Sequence, residues 1–118
     1  MRKRLLSFGY AFRGIGHACS EPNFRIHLAA ALAASALGYW LELPAAEWCA
    51  VLLCFAAVMS AEAMNSAVEK LTDLVSPGQH ELAGKAKDLA AGAVLISALM
   101  AAAVGCIVFL PKLARRFG

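Results

Sequence analysis

The chain has 118 residues, of which 61% are hydrophobic and only 16% charged, with a net charge of +3. Soluble domains carry about 25% charged residues, and the mean hydropathy here is +0.66. One small domain cannot hide so much apolar surface from water, so composition excludes an ordinary soluble fold and favours a membrane protein. The small positive charge gathers at the two chain ends, which suits anionic headgroups. Patches that read bases or track nucleic-acid phosphates are absent.

Residues 1–18 open with Met-Arg-Lys-Arg and place Leu5, Phe8, Phe12 and Ile15 on one stripe of a helix. A short basic amphipathic helix of this kind is expected to lie in the membrane interface. Gly9, Gly14 and Gly16 weaken it, and a bend or break is expected near Gly14. Ser20-Glu21-Pro22 reads as the start of the next helix, with Ser20 as N-cap and Pro22 in the first turn. Glu21 then sits at the positive end of that helix, where a lone carboxylate most simply serves as a capping charge.

Three uncharged runs follow: Leu28 to Leu41 (14 residues), Trp48 to Ala61 (14 residues) and Leu89 to Leu110 (22 residues). About 20 residues cross a bilayer, so the third run suffices alone and the first two need their flanks. With those flanks, membrane helices are expected at about 24–43, 47–75 and 81–111, all within one domain spanning 1–118. The fold class is therefore all-α, with three transmembrane helices behind a surface helix. Trp40 and Trp48 flank the Glu42–Glu47 turn, as aromatic residues do at an interface. That turn has no lysine or arginine, whereas the N-terminal segment and the 69–88 loop hold Arg2, Lys3, Arg4, Arg13, Lys70, Lys85 and Lys87. The positive-inside bias places both of these in the cytoplasm, with Lys112, Arg115 and Arg116 pulling the other way. Alanine-rich spans suit close helix packing in lipid, and three small helices bury too little alone, so self-association is expected. Cys49, Cys54 and Cys106 lie in apolar runs, and none of the four cysteines has CxxC or metal-ligand spacing; they read as packing residues.

The second apolar run ends in Glu62, Asn65, Glu69 and Asp73, at offsets of 0, 3, 7 and 11. At about 100° per residue these share an arc of roughly 80°. Three carboxylates and an amide thus line one helix face at a membrane edge. Such a face is either a solvated extension of the helix or a cation or proton site. Ser76-Pro77-Gly78 ends the helix. Lys87-Asp88 then stands at the mouth of the third span, on the same side as the acidic face. The lysine is either a structural partner of those acids or a phosphate ligand, with the carboxylates holding a divalent metal. Magnesium suits the second option, since it takes oxygen ligands and is often bound by one or two carboxylates plus substrate phosphates. Metal-binding acids, a cationic clamp and a spare carboxylate are the parts of phosphoryl transfer. A P-loop and a protein-kinase Gly-rich signature are both missing.

These residues carry a resemblance. Glu62-Ala-Met-Asn65-Ser-Ala-Val-Glu69, then Asp73, then His80-Glu-Leu-Ala-Gly-Lys-Ala-Lys87-Asp88, resembles the signature of the prokaryotic diacylglycerol kinase family, which includes undecaprenol kinases. The match extends through Gly9-Tyr10-Ala-Phe-Arg13-Gly14, Glu21-Pro-Asn-Phe24-Arg25-Ile-His, Gly92-Ala-Val-Leu and Phe109-Leu-Pro-Lys. The resemblance implies a homotrimer of three-span subunits in the bacterial inner (cytoplasmic) membrane, with active sites between subunits at the cytoplasmic face. It implies phosphorylation of a membrane lipid alcohol by ATP with Mg2+. Glu62 is similar to the family's general base, and Asn65 to the residue that positions base and phosphate. Glu21 and Glu69 resemble the acids on the ATP-bound magnesium. Lys87 would neutralise the phosphates, while Tyr10, His80 and Asp88 would line the nucleotide site. Arg13, Asn23, Phe24 and Arg25 match the lipid-contacting region, together with Glu62. Asp73 resembles a support of the nucleotide site.

The Asn-Phe-Arg-Ile-His segment and the Phe-Leu-Pro-Lys ending look more like the undecaprenol-kinase branch, whereas Asn65-Ser-Ala and His-Glu-Leu-Ala-Gly also occur in diacylglycerol-kinase forms. The resemblance thus leaves undecaprenol, the favoured acceptor, beside 1,2-diacylglycerol. From a different class, a small proton- or cation-coupled transporter subunit also explains acids near a membrane. It wants its charges near the midplane, however, whereas Glu62 closes a 14-residue apolar run and lies near a surface. A structural membrane-assembly protein with solvated helix ends is the plainest alternative; it should lack ATP hydrolysis.

Overall fold

Helical periodicity dominates the sequence, and the computed structural model, which describes residues 1–118, is helical throughout. Helix α1 covers Arg2–Cys19, α2 Pro22–Trp40, α3 Ala45–Val75 and α4 Glu81–Phe117. There are no strands. Its extents are 55 × 41 × 21 Å.

Helix α1 runs unbroken through Gly9, Gly14 and Gly16, so the bend expected near Gly14 does not occur. A glycine costs a helix about 1 kcal/mol relative to alanine, which weakens the helix without interrupting its hydrogen bonds. Only Ala18 of α1 is buried, while Leu5, Phe8, Phe12 and Ile15 all face outward. Ser20 is not the N-cap of α2. Its hydroxyl donates to the His17 carbonyl at 2.6 Å and closes α1, leaving Glu21, in an extended conformation, as the N-cap residue. Arg25 Nε donates to the Cys19 carbonyl at 2.7 Å and pins the elbow between the two helices.

Helix α2 presents Phe24, His27, Ala31, Ala34 and Gly38 at offsets of 0, 3, 7, 10 and 14, each buried or half-buried. This is a seven-residue packing stripe, directed mainly at α3. Gly38 is required there: a Cβ at that position would stand 2.9 Å from Leu43 Cδ1 and 3.1 Å from the Trp48 ring. The following turn closes with Leu43 N–H donating to the Gly38 carbonyl at 3.1 Å. Glu42 takes a left-handed φ of 58°, which costs a residue with a Cβ about 1–2 kcal/mol.

The α3–α4 pair shares the most extensive packing. Leu43, Val51, Val108 and Phe109 form the core, flanked by Leu37, Trp48, Phe55 and Val104. This core sits at the α2–α3 turn, away from α1. Helix α4 continues through Pro111 to Phe117, past the expected end at 111, because the residues beyond the proline find partners. Lys112 Nζ lies 3.1 Å from Glu47 Oε2. The Arg116 guanidinium stacks 4.4 Å from the Trp40 ring centroid, and Phe117 meets Trp40 at 6.0 Å. Lys112 and Arg116, two of the basic residues that oppose the charge bias, thus engage the helix ends around the α2–α3 turn, while Arg115 Nε donates to the Pro111 carbonyl at 3.3 Å.

Two helices, α3 and α4, are long and apolar enough to cross a membrane. Helix α2 has 19 residues, but Arg25 and His27 occupy its first two turns. Only 11 of the 118 residues are buried, and large apolar side chains such as Leu53, Leu95, Ile96 and Ile107 are exposed along α3 and α4. In water that surface would be untenable; it calls for lipid or further copies of the chain around it.

Candidate active site

The packing stripe of α3 is apolar at Val51 and Val58, then continues into Glu62 and Asn65, the other two buried residues of this helix. A carboxylate and an amide therefore occupy core positions at the end of an apolar seam. Glu62 is 3% exposed and Asn65 8%. Buried polar groups of this kind are costly unless partnered, so the partners matter.

Glu62 Oε2 lies 3.7 Å from His27 Nε2, across the α2–α3 seam. Asn65 Nδ2 donates to Glu69 Oε1 at 3.3 Å, one turn along α3. Asn65 Oδ1 is buried and has no donor, an acceptor left open beside the Glu69 carboxylate. Lys70 Nζ grips Glu21 Oε1, tying the start of α2 to α3. Lys87 Nζ donates to Asp73 Oδ1 at 2.5 Å, tying the start of α4 to the end of α3. The four-residue face read from spacing is thus divided by depth: Glu62 and Asn65 are buried, Glu69 and Asp73 exposed.

The other expected residues are placed as follows. His80 is the N-cap of α4, its Nδ1 accepting from the Leu82 N–H at 3.1 Å. It lines an open cleft of about 570 Å³ together with Asp73, Gly78, Gly84 and Lys87. Asp88 is exposed. Phe24 is buried on the α2 stripe and Asn23 is exposed beside it. Tyr10 and Arg13 are both exposed on α1, the guanidinium 5.0 Å from the Tyr10 ring centroid. Within the chain, Glu21 is paired with Lys70 and Glu69 with Asn65, and no three His, Cys, Asp or Glu side chains cluster at metal-ligand distance.

Two partners escaped the sequence reading, His27 and Lys70. Lys70 gave no signal beyond its place beside Glu69. His27 did: it falls three residues after Phe24 and four before Ala31 on the α2 stripe, so a polar ring was to be expected in the seam.

A family model described as prokaryotic diacylglycerol kinase matches residues 9–109, a stretch that includes all of the pairs just described. The chain belongs to the prokaryotic diacylglycerol kinase family. It is an enzyme, a lipid kinase, and the kinase chemistry of the family is ATP-dependent phosphoryl transfer; the transporter and assembly-protein readings give way. An undecaprenol kinase of Bacillus subtilis is 43% identical over 108 residues, covering 91% of this chain and 88% of that protein. A diacylglycerol kinase of Synechocystis is 41% identical over 111 residues, covering 92% of this chain and 63% of that protein. A diacylglycerol kinase of Escherichia coli is 35% identical over 100 residues, covering 84% and 82%. Kinase membership and the apolar helices together make this a membrane protein.

Proposed function

We propose that this kinase transfers the γ-phosphoryl group of ATP to the hydroxyl of a membrane-resident lipid alcohol, undecaprenol in the first instance, at the cytoplasmic face. The observation that carries the proposal is Glu62, a carboxylate 3% exposed at the end of an apolar helix seam. A lipid hydroxyl must be met at that depth, and a base must stand within hydrogen-bond reach of the proton it removes. Glu62 accepts the hydroxyl proton as the oxygen attacks the γ-phosphorus in line with departing ADP.

The acids farther along α3 lie toward water, where a nucleotide arrives. The donor set fits a magnesium ion held mainly by ATP phosphates, which needs only one or two protein carboxylates. Glu69 would hold it, with the open Asn65 Oδ1 beside that carboxylate and Glu21 released from Lys70. When bound, the ion supplies neutralisation of the developing phosphate charge. Lys87, at the rim of the α3–α4 cleft, turns from Asp73 to the phosphates, and Tyr10, His80 and Asp88 complete the nucleotide site. Arg13, Asn23, Phe24 and Arg25 flank the entry for the lipid. The scant burial in a single chain supports a homotrimer with α2, α3 and α4 all crossing the bacterial inner membrane and α1 on its cytoplasmic surface.

Identity of 43% to an undecaprenol kinase along nearly its full length supports a prenol acceptor. Diacylglycerol is the second reading, favoured by the 41% identity to the Synechocystis diacylglycerol kinase. The test supplies γ-labelled ATP with magnesium and either undecaprenol or diacylglycerol in mixed micelles. Faster labelling of undecaprenol is expected. Faster labelling of diacylglycerol installs the second reading, and labelling of neither lipid removes both.

A further inference from the structure

Glu62 is the deepest ionisable group in the molecule, and His27 is its one ionisable partner within 4.0 Å. Every cation near the acidic face is committed elsewhere: Lys70 to Glu21 and Lys87 to Asp73. The Asn65 amide is also turned away, toward Glu69 at 3.3 Å. The imidazole is itself placed by the fold, on the α2 stripe between buried Phe24 and buried Ala31, and its side chain is 26% exposed against 5% for Glu62.

We propose that His27 is the positioning residue for the Glu62 base. With a proton on Nε2, the imidazole holds Glu62 Oε2 and leaves Oε1 free to receive the hydroxyl proton of the lipid. The separation of 3.7 Å is longer than a hydrogen bond, as catalytic contacts often are before substrate closes the site. A buried carboxylate is costly unless a donor faces it, and His27 supplies the nearest one. The proposal rests on Glu62 acting as base. It adds that orientation of the carboxylate comes from α2, so the α2–α3 seam, rather than α3 alone, sets the catalytic geometry.

The experiment compares wild type with His27→Ala, His27→Gln and Glu62→Gln in mixed micelles, with lipid acceptor and MgATP varied independently. His27→Ala is expected to lower kcat by roughly 10- to 100-fold, less than the roughly 10²- to 10⁴-fold that the base itself contributes, with both KM values within about threefold of wild type. His27→Gln, whose amide N–H still reaches a carboxylate, is expected to recover most of that loss. Thermal stability in detergent serves as the folding control for each variant. If His27→Gln is as slow as His27→Ala, or if the lipid KM moves and kcat does not, His27 is not a positioning residue. The two readings separate cleanly. Substantial turnover by Glu62→Gln overturns the base assignment, whereas a dead Glu62→Gln beside unaffected His27 variants overturns only the role of the imidazole.

Discussion

Replacing Glu62 by leucine should make the protein more stable and inactive at once. The carboxylate side chain is 5% exposed, and its nearest donor stands at 3.7 Å, so it is buried without a normal hydrogen bond. Burial of a polar group on those terms costs about 1–3 kcal/mol. Leucine of similar volume would continue the stripe begun by Val51 and Val58, and burying such a side chain is worth about 1.5–3 kcal/mol. His27 can turn to water, being a quarter exposed, so little is lost by removing its partner. Replacing both partners of a buried ion pair by apolar residues of like size is often neutral or stabilising by about 1–4 kcal/mol; with only Glu62 replaced and His27 able to hydrate, a gain of about 1 kcal/mol is expected here. The assay is unfolding in mixed detergent with increasing dodecyl sulfate, followed by the fluorescence of Trp40 and Trp48, with phosphotransfer measured on the same samples. A lower midpoint for Glu62→Leu than for wild type would refute the reasoning, because Glu62 would then be a structural anchor rather than a residue kept for chemistry.

Three other outcomes are expected. Lys87→Ala should raise the KM for ATP by about tenfold or more, the scale of one lost hydrogen bond to a charged group. It should cost less than about 1 kcal/mol of stability, since its pair with Asp73 is solvent-exposed; equal loss in both would show that the pair is structural. Glu69→Ala should weaken dependence on magnesium and on ATP together, seen in titrations of each at saturating lipid, and a change confined to the lipid KM contradicts the assignment. Gly38→Val should cost about 1–3 kcal/mol by overpacking against Leu43 and Trp48, which already stand 2.9 and 3.1 Å from the site of a Cβ. It should leave kcat per folded molecule unchanged, as measured by unfolding and by assay of the folded fraction.

The sequence made the helices legible because their apolar stripes recur at helical spacing, and the sequential part of the site was legible for the same reason. Asn65 and Glu69 are four apart, and the structure joins them as that spacing allows. Depth was not legible. Glu62 and Glu69 look alike on a helical wheel, yet one is buried and the other exposed, because burial depends on where α2 crosses α3. The pairs His27–Glu62 and Glu21–Lys70 join residues from different helices, and intrahelical spacing says nothing about such crossings. Ser20 departs from the expected N-cap role for a related reason. One hydroxyl can close the preceding helix or open the next, and the short elbow, pinned by Arg25 on the Cys19 carbonyl, decides for the former. At the far end, Lys112 and Arg116 appeared to contradict the charge bias. Their partners Glu47, in the first turn of α3, and Trp40, the last residue of α2, are brought to them only by the fold.

The central claim is that the buried carboxylate of α3 takes the proton of a lipid hydroxyl. Its most direct test is label transfer from γ-labelled ATP to undecaprenol by purified Glu62→Gln, beside wild type of equal helical content and oligomeric state. Glutamine keeps the shape and loses only the base, so transfer is expected to fall by at least about a hundredfold. Turnover within about tenfold of wild type by an intact Glu62→Gln assembly would contradict the account.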